Sequence, residues 1–506
     1  MNAAQLERNK IRPCYGNGNA GPVHLVDSSS LSDDFTDMIS RIARFMGLGT
    51  AVAIVPALGA QDTTSALHYK GLTLSPIGFA AAEAVFRTRN VASDIGASYN
   101  AIPFDGTTAA HTSEFRATGR QSRIGMLAEG NAGANKATAY WEADFLGVGT
   151  SSNSNESNSY VLRIRQYWGQ FTAGTFSFDG GQMWSLATPN KNGVLPRSEH
   201  VPLTIEAQYA VGFDWARQAA FRFSQRSGAT SWGLALEGAQ TTFAARNAPS
   251  QIVLGQTGGS QLNSTTNYSA DLSPDIIAKL AVDPKGMGHW EIKGVARALR
   301  DRFVDPTGTA GGTTSSNTWG YGAGFGVFYP VMSGSRSVLD IGLSGMGGRG
   351  IGRYGTSQLP DATVDTDNSL KPIKAGHLLL SLEAHPDPML DVYGYGGVEY
   401  ADRTAFVNSA GKGVGYGSPL NGTVGCETEA APTGPFAPAS GPCAADTRTL
   451  AQGNLGFWYR LYKGASGTVQ WGMQYSYTKR SAWAGVGGEP TGAENMIFTS
   501  FRVVLP

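Results

Sequence analysis

No stretch of this chain is both long and apolar enough to cross a bilayer as a helix, which needs about twenty apolar residues. Net charge is also missing: 39 basic residues balance 39 acidic ones, and no run of Lys or Arg stands out. There is then no field to gather nucleic acid, and that class of partner is excluded. Three cysteines are too few for a disulfide scaffold, and the seven histidines are scattered without ligand spacing, so no metal site and no cofactor is expected. No G-x-S-x-G elbow occurs, and acids spread along strands do not form a catalytic pair, so the chain does not read as an enzyme. Gly345, Gly347 and Gly350 spell G-x-G-x-x-G after a strand, but the sequence that follows cannot supply the helix a dinucleotide needs. No Pro/Ser linker divides the chain, which reads as one unit despite its 506 residues.

The N-terminus carries an export signal. Residues 38–60 place Met38, Arg41 and Arg44 before an apolar stretch from Phe45 to Leu58, followed by the small residues Gly59 and Ala60. This is the order of a signal peptide, with the mature chain starting near Gln61. Residues 1–37 are polar and unpatterned and read as a non-structural extension ahead of a true start at Met38. Residues 61–71 then form a short periplasmic leader to the body at 72–506.

What the body has is alternation at two scales. Short strand-like segments are joined by long polar connections near 89–113, 147–157, 186–204, 242–272, 303–317, 347–372, 402–449 and 481–492. Tight turns fall between them near 131–135, 172, 226–229, 284–287, 331–335, 386–387 and 464–466. Sixteen strands with every short turn on one side and every long loop on the other is the layout of an all-β transmembrane antiparallel barrel in a bacterial outer membrane. Within strands the period is two. Ala137, Ala139, Trp141, Ala143 and Phe145 alternate with Thr138, Tyr140, Glu142 and Asp144, and Phe498, Ser500 and Arg502 alternate with Ile497, Thr499, Phe501 and Val503. Such strands average out polar, which agrees with a mean hydropathy of −0.18. Trp168, Trp290, Trp319, Tyr329 and Trp458 lie near strand ends, where an aromatic girdle is expected.

The same parity gives the pore lining. Arg123, Glu142, Asp144, Arg163, Arg165 and Arg222 come from strands two to six, and Asp340, Glu383, Asp391 and Glu399 from strands eleven to thirteen. A basic wall facing an acidic one would set a transverse field and favour anions, since arginine binds carboxylates through its fork. Alternatively the arginines pair with Glu142 and Asp144 and only satisfy the wall. Cys426 and Cys443 flank a Pro/Ala-rich tract in the seventh long loop and read as a disulfide formed in the periplasm, the alternative being two free thiols.

Four stretches, GRQSRIGMLAEGN, LRIRQYWGQF, GGQMWSLATPN and FTSFRVVLP, resemble the Gram-negative outer-membrane porins, and most of all the DcaP-like group. The resemblance spans roughly 72–506. It implies a sixteen-stranded homotrimeric porin for small hydrophilic solutes, with dicarboxylates in view, seated among outer-membrane lipid and lipopolysaccharide. It also implies that the third long loop, with Lys191, Arg197, Glu199 and His200, folds inward as a constriction. Two readings compete with it: a non-conducting barrel serving as adhesin or receptor platform, and a soluble secreted β-protein.

Overall fold

Sixteen antiparallel strands close on themselves in the computed structural model, which describes residues 66–148, 160–259, 262–304, 312–334, 336–431, 434 and 442–506. The extension at 1–37 and the signal peptide at 38–60 lie outside the described residues, as does the leader before residue 66.

In chain order the strands are β1 Leu72–Arg87, β2 Glu114–Thr118 continued by Arg123–Ala132, β3 Asn135–Gly147 and β4 Val161–Ala173. Then follow β5 Phe176–Trp184, β6 Arg217–Ser227, β7 Thr230–Glu237, β8 Asp275–Val282, β9 His289–Arg300 and β10 Asn317–Ser333. The circuit ends with β11 Arg336–Arg349, β12 Lys374–Asp387, β13 Leu390–Ala401, β14 Thr447–Gly464, β15 Gly467–Ala482 and β16 Thr491–Val504. Each pairs with its neighbours in sequence, and β16 returns to β1 with Phe79 opposite Val504 and Arg87 opposite Met496. No edge is left unpaired in the ring, which a spanning sheet requires because hydrocarbon offers backbone groups no partner. The break inside β2 is bridged by Ser122, whose hydroxyl accepts from Ala81 N at 2.9 Å.

Period two sets the two faces. Along β12, Leu378, Leu380 and Leu382 point outward and exposed, while His377, Leu379, Ser381 and Glu383 point inward and buried. Outward aromatics gather toward the strand ends: Trp232, Trp290, Tyr329 and Tyr459 near the short turns, Trp319, Tyr321 and Tyr477 near the long loops. Trp168 and Trp458 do not join them. A register shift between Glu142 and Ala143 in the β3–β4 pairing turns Trp168 inward, where it stacks on Tyr140 with ring centroids 5.4 Å apart. Trp458 also faces in and donates to Leu203 O at 2.8 Å.

The third long loop runs on to Ala216 instead of ending near 204. Residues 205–216 alternate like a strand, but they lie inside the ring, where Ile205, Val211 and Phe213 are buried. Loop 3 (185–216) and loop 6 (350–373) both pack into the interior, and this second inward loop carries no sequence signal of its own.

Candidate lumen and its constriction

Loop 3 crosses to the opposite wall and docks there backbone-first. Gly212 adopts φ +88°, and a Cβ at that position would sit 2.1 Å from Leu378 O. On the wall side a Cβ at Gly397 would sit 1.7 Å from Val211 O, so two glycines let the loop lie flush on β12 and β13. Gly212 N and Ser357 N donate to Glu399 at 2.8 and 3.2 Å, with Thr356 Oγ1 at 2.9 Å, so one carboxylate ties loops 3 and 6 to β13. Val211 N donates to Gln452 and Ile205 N to Gln474, at 2.9 and 2.6 Å.

Buried charge fixes the same contact. Asp214 of loop 3 is wedged between Lys293 on β9 and His377 on β12. Burial pushes its carboxyl upward, but Lys293 and His377 outweigh this and hold it at about 2. Lys279 Nζ donates to Thr188 O and Asn190 Oδ1 of loop 3, both at 2.7 Å, and to Glu291 at 3.0 Å. Arg297 joins Asp275 at 2.9 Å to Asp361 of loop 6 at 2.8 Å. Elsewhere on loop 3, Glu206 is buried with both oxygens lacking a hydrogen-bond partner among the described residues, and burial pushes it up to about 8. Burial likewise pushes His200 down.

The residues singled out in the sequence divide by environment. Arg165 is buried, pairs with Glu142 and Asp144, and donates to the Tyr209 hydroxyl of loop 3 at 2.9 Å. Arg163 pairs with Asp144 at 2.7 Å yet keeps a third of its side chain exposed, and Arg123 lies 3.9 Å from Glu142. Arg222 is buried under loop 3, donating to Trp184 O at 2.6 Å. Glu383 accepts from Tyr395 at 2.7 Å, Asp391 pairs with His385 and Arg460, and Asp340 lies near His385. In loop 3, Lys191 and Arg197 are exposed, Arg197 lies over the Tyr140 ring at 5.1 Å, and Glu199 forms an isolated bridge with Asn190. Cys426 and Cys443 are joined by a disulfide.

The walls are not separated by sign. Lys279, Lys293 and Arg297 stand on β8 and β9, Arg460 on β14 pairs with Asp391 of β13, and Arg502 on β16 pairs with Glu83 of β1. The parity of β9, with His289, Glu291, Lys293 and Arg297 on one face, was a usable signal for two of these groups, Lys293 and Arg297. On the short-turn side of loop 3 a cavity of about 230 Å³ is lined by Arg123, Arg460, Arg502, Asp391, Trp458 and loop residues 201–204, 206, 207 and 209.

No protein-family model and no curated protein matches the chain. Solved structures do. The outer-membrane channel DcaP of Acinetobacter baumannii is 16% identical over 87% of this chain and 99% of its own, with a TM-score of 0.59. An anion-selective porin from Comamonas acidovorans is 10% identical over 86% of this chain and 100% of its own, at 0.43. OprB of Pseudomonas putida is 9% identical over 86% and 94%, at 0.44. At such identities the likeness is one of fold. The chain has the architecture of an outer-membrane porin, and the DcaP channel shares it across nearly its whole length.

Proposed function

We propose that this protein is a bacterial outer-membrane porin, a homotrimer passing small hydrophilic solutes by diffusion, with a preference for anions such as dicarboxylates. What supports the reading is a closed barrel with a polar inward face whose third loop crosses the lumen, beside a cavity that presents Arg123, Arg460 and Arg502. Of these, Arg502 is shared with Glu83 at 2.8 Å and Arg460 with Asp391, whereas Arg123 has its nearest carboxylate only at 3.9 Å. Arg123 is therefore the cation with most charge left for a passing carboxylate, to which a guanidinium fork donates two hydrogen bonds. The test is a planar-bilayer recording of the purified protein in a salt gradient. Stepwise conductance in triplets, with a reversal potential on the anion side that Arg123→Glu moves toward cations, is the expected result. A protein that inserts but never conducts would refute it.

A further inference from the structure

Three strands and loop 3 bring together side chains that no stretch of sequence places near one another. Asp340 on β11 and Glu383 on β12 are direct cross-strand partners on the inward face. Two carboxylates in that register repel unless a cation lies between them. His385, two residues beyond Glu383 on the same face, sends Nε2 to within 3.3 Å of Asp340 Oδ2. One donor atom from each of Asp340, Glu383 and His385 lies within 4.8 Å of the others.

The surroundings of the histidine are those of a ligand. Its Nδ1 contacts Asp391 Oδ1 at 2.7 Å, which holds the proton on Nδ1 and leaves the Nε2 lone pair aimed at Asp340. A carboxylate behind an imidazole is the usual partner of a metal-bound histidine. A second imidazole arrives from loop 3: His200 is buried, makes no side-chain hydrogen bond among the described residues, and brings Nε2 to 3.4 Å from Glu383 Oε1. Three carboxylates meet one guanidinium, Arg460, the only Lys or Arg in contact with them among the described residues, which leaves a deficit of two positive charges.

We propose that Asp340, Glu383 and His385 form a binding site for a divalent transition metal, of which Zn²⁺ fits the mixed nitrogen and oxygen donors, with His200 as the group through which the metal engages loop 3. Tetrahedral Zn²⁺ at about 2.1 Å from each ligand needs donors roughly 3.4 Å apart, a spacing His385 and Asp340 already have. The bound ion takes the place that a proton on His385 Nε2 would otherwise fill, and loop 3 becomes fastened to the short-turn end of β11 and β12.

The test is metal uptake by the untagged, purified protein in detergent, and it stands whether or not the barrel conducts. Calorimetry with Zn²⁺ alone is expected to give one ion per chain at neutral pH, and Co²⁺ to give the intense visible bands of a tetrahedral site. His385→Ala and the near-isosteric Asp340→Asn should each lose the ion, while Asp391→Asn should weaken it about 10–100-fold. Glu129→Gln, which changes a carboxylate paired with Lys136 at another turn, should have no effect. Heat-modifiable electrophoretic mobility checks that each variant is folded. No uptake by the native protein, or uptake that survives both His385→Ala and Asp340→Asn, overturns the site. Should both variants fail to fold, native Co²⁺ spectra that are octahedral, without imidazole nitrogen ligation, overturn it equally.

Discussion

On the wall formed by β8, β9, β12 and β13, charge is sealed away; on the wall formed by β2, β4, β14 and β16, part of it still meets solvent. Lys293, Lys279 and Arg297 have fully buried side chains and each holds a residue of loop 3 or loop 6. Arg123 and Arg163 retain 24% and 33% of their side-chain exposure. The difference separates charge that docks the inward loops from charge that still faces solvent. An exposed pair contributes at most about 1 kcal/mol to stability and is screened by salt, whereas breaking a buried pair costs about 3–5 kcal/mol because the survivor is left without a counter-charge.

The sharpest way to break this contrast is Lys293→Met. It leaves Asp214 with His377 as its only charged partner and removes a donor to Ala187 O, so loop 3 should lose its main anchor while the strand ladder holds. Single-channel conductance should rise and become noisier, with heat-modifiability unchanged. A silent change would mean that backbone contacts at Gly212 alone dock the loop.

Titration probes the docking of loop 3 more gently, from the side of β1, β14 and β16. Glu206 faces Arg87 of β1, Glu494 of β16, Tyr99 of loop 1 and Gln452 of β14, and burial raises it from 4.5 to about 8. Because the docked loop holds this proton more tightly than a solvated one, Glu206 stabilises docking fully below about pH 4.5, and that contribution is lost as pH rises through about 8. Asp214 works the other way, its contribution being present above about 3.8 and lost as pH falls through about 2. Open-channel noise should thus increase between about pH 4.5 and about 8, and Glu206→Gln should flatten the rise. A response that persists in the variant assigns it elsewhere.

On the open wall, Arg163→Glu should shift the reversal potential toward cations at low salt, with an effect that shrinks as ionic strength rises. Arg165→Glu, only two residues away, should instead behave like a docking mutant, since Arg165 is buried and holds Tyr209 of loop 3. Equal responses from the two would erase the distinction between the walls.

The smallest effect on the barrel belongs to the Cys426–Cys443 bond, which spans 17 residues and in the chain-entropy model restrains its loop by about 3 kcal/mol. Replacing both cysteines by serine should leave assembly and conductance intact and make 402–446 more sensitive to external protease. Impaired assembly would show that loop 7 helps to build the barrel.

The sequence by itself determined the barrel: strand number, the sorting of short turns from long loops, and which face of most strands points inward. These are local properties, since a pleated strand reverses its side chains every residue and a turn is built from its own few residues. It failed where locality fails. Trp168 was placed on the wrong face because one bulge between Glu142 and Ala143 resets the parity, and residues 205–216 alternate like a strand yet find their partners on β12, β13 and loop 6. The burial of Arg165 and Glu399, the wedging of Asp214 between Lys293 and His377, and the meeting of Asp340, Glu383 and His385 were decided only by the tertiary structure. Their partners lie on other strands and loops, and the energy of a charge is set by what surrounds it, which no stretch of chain carries along with itself.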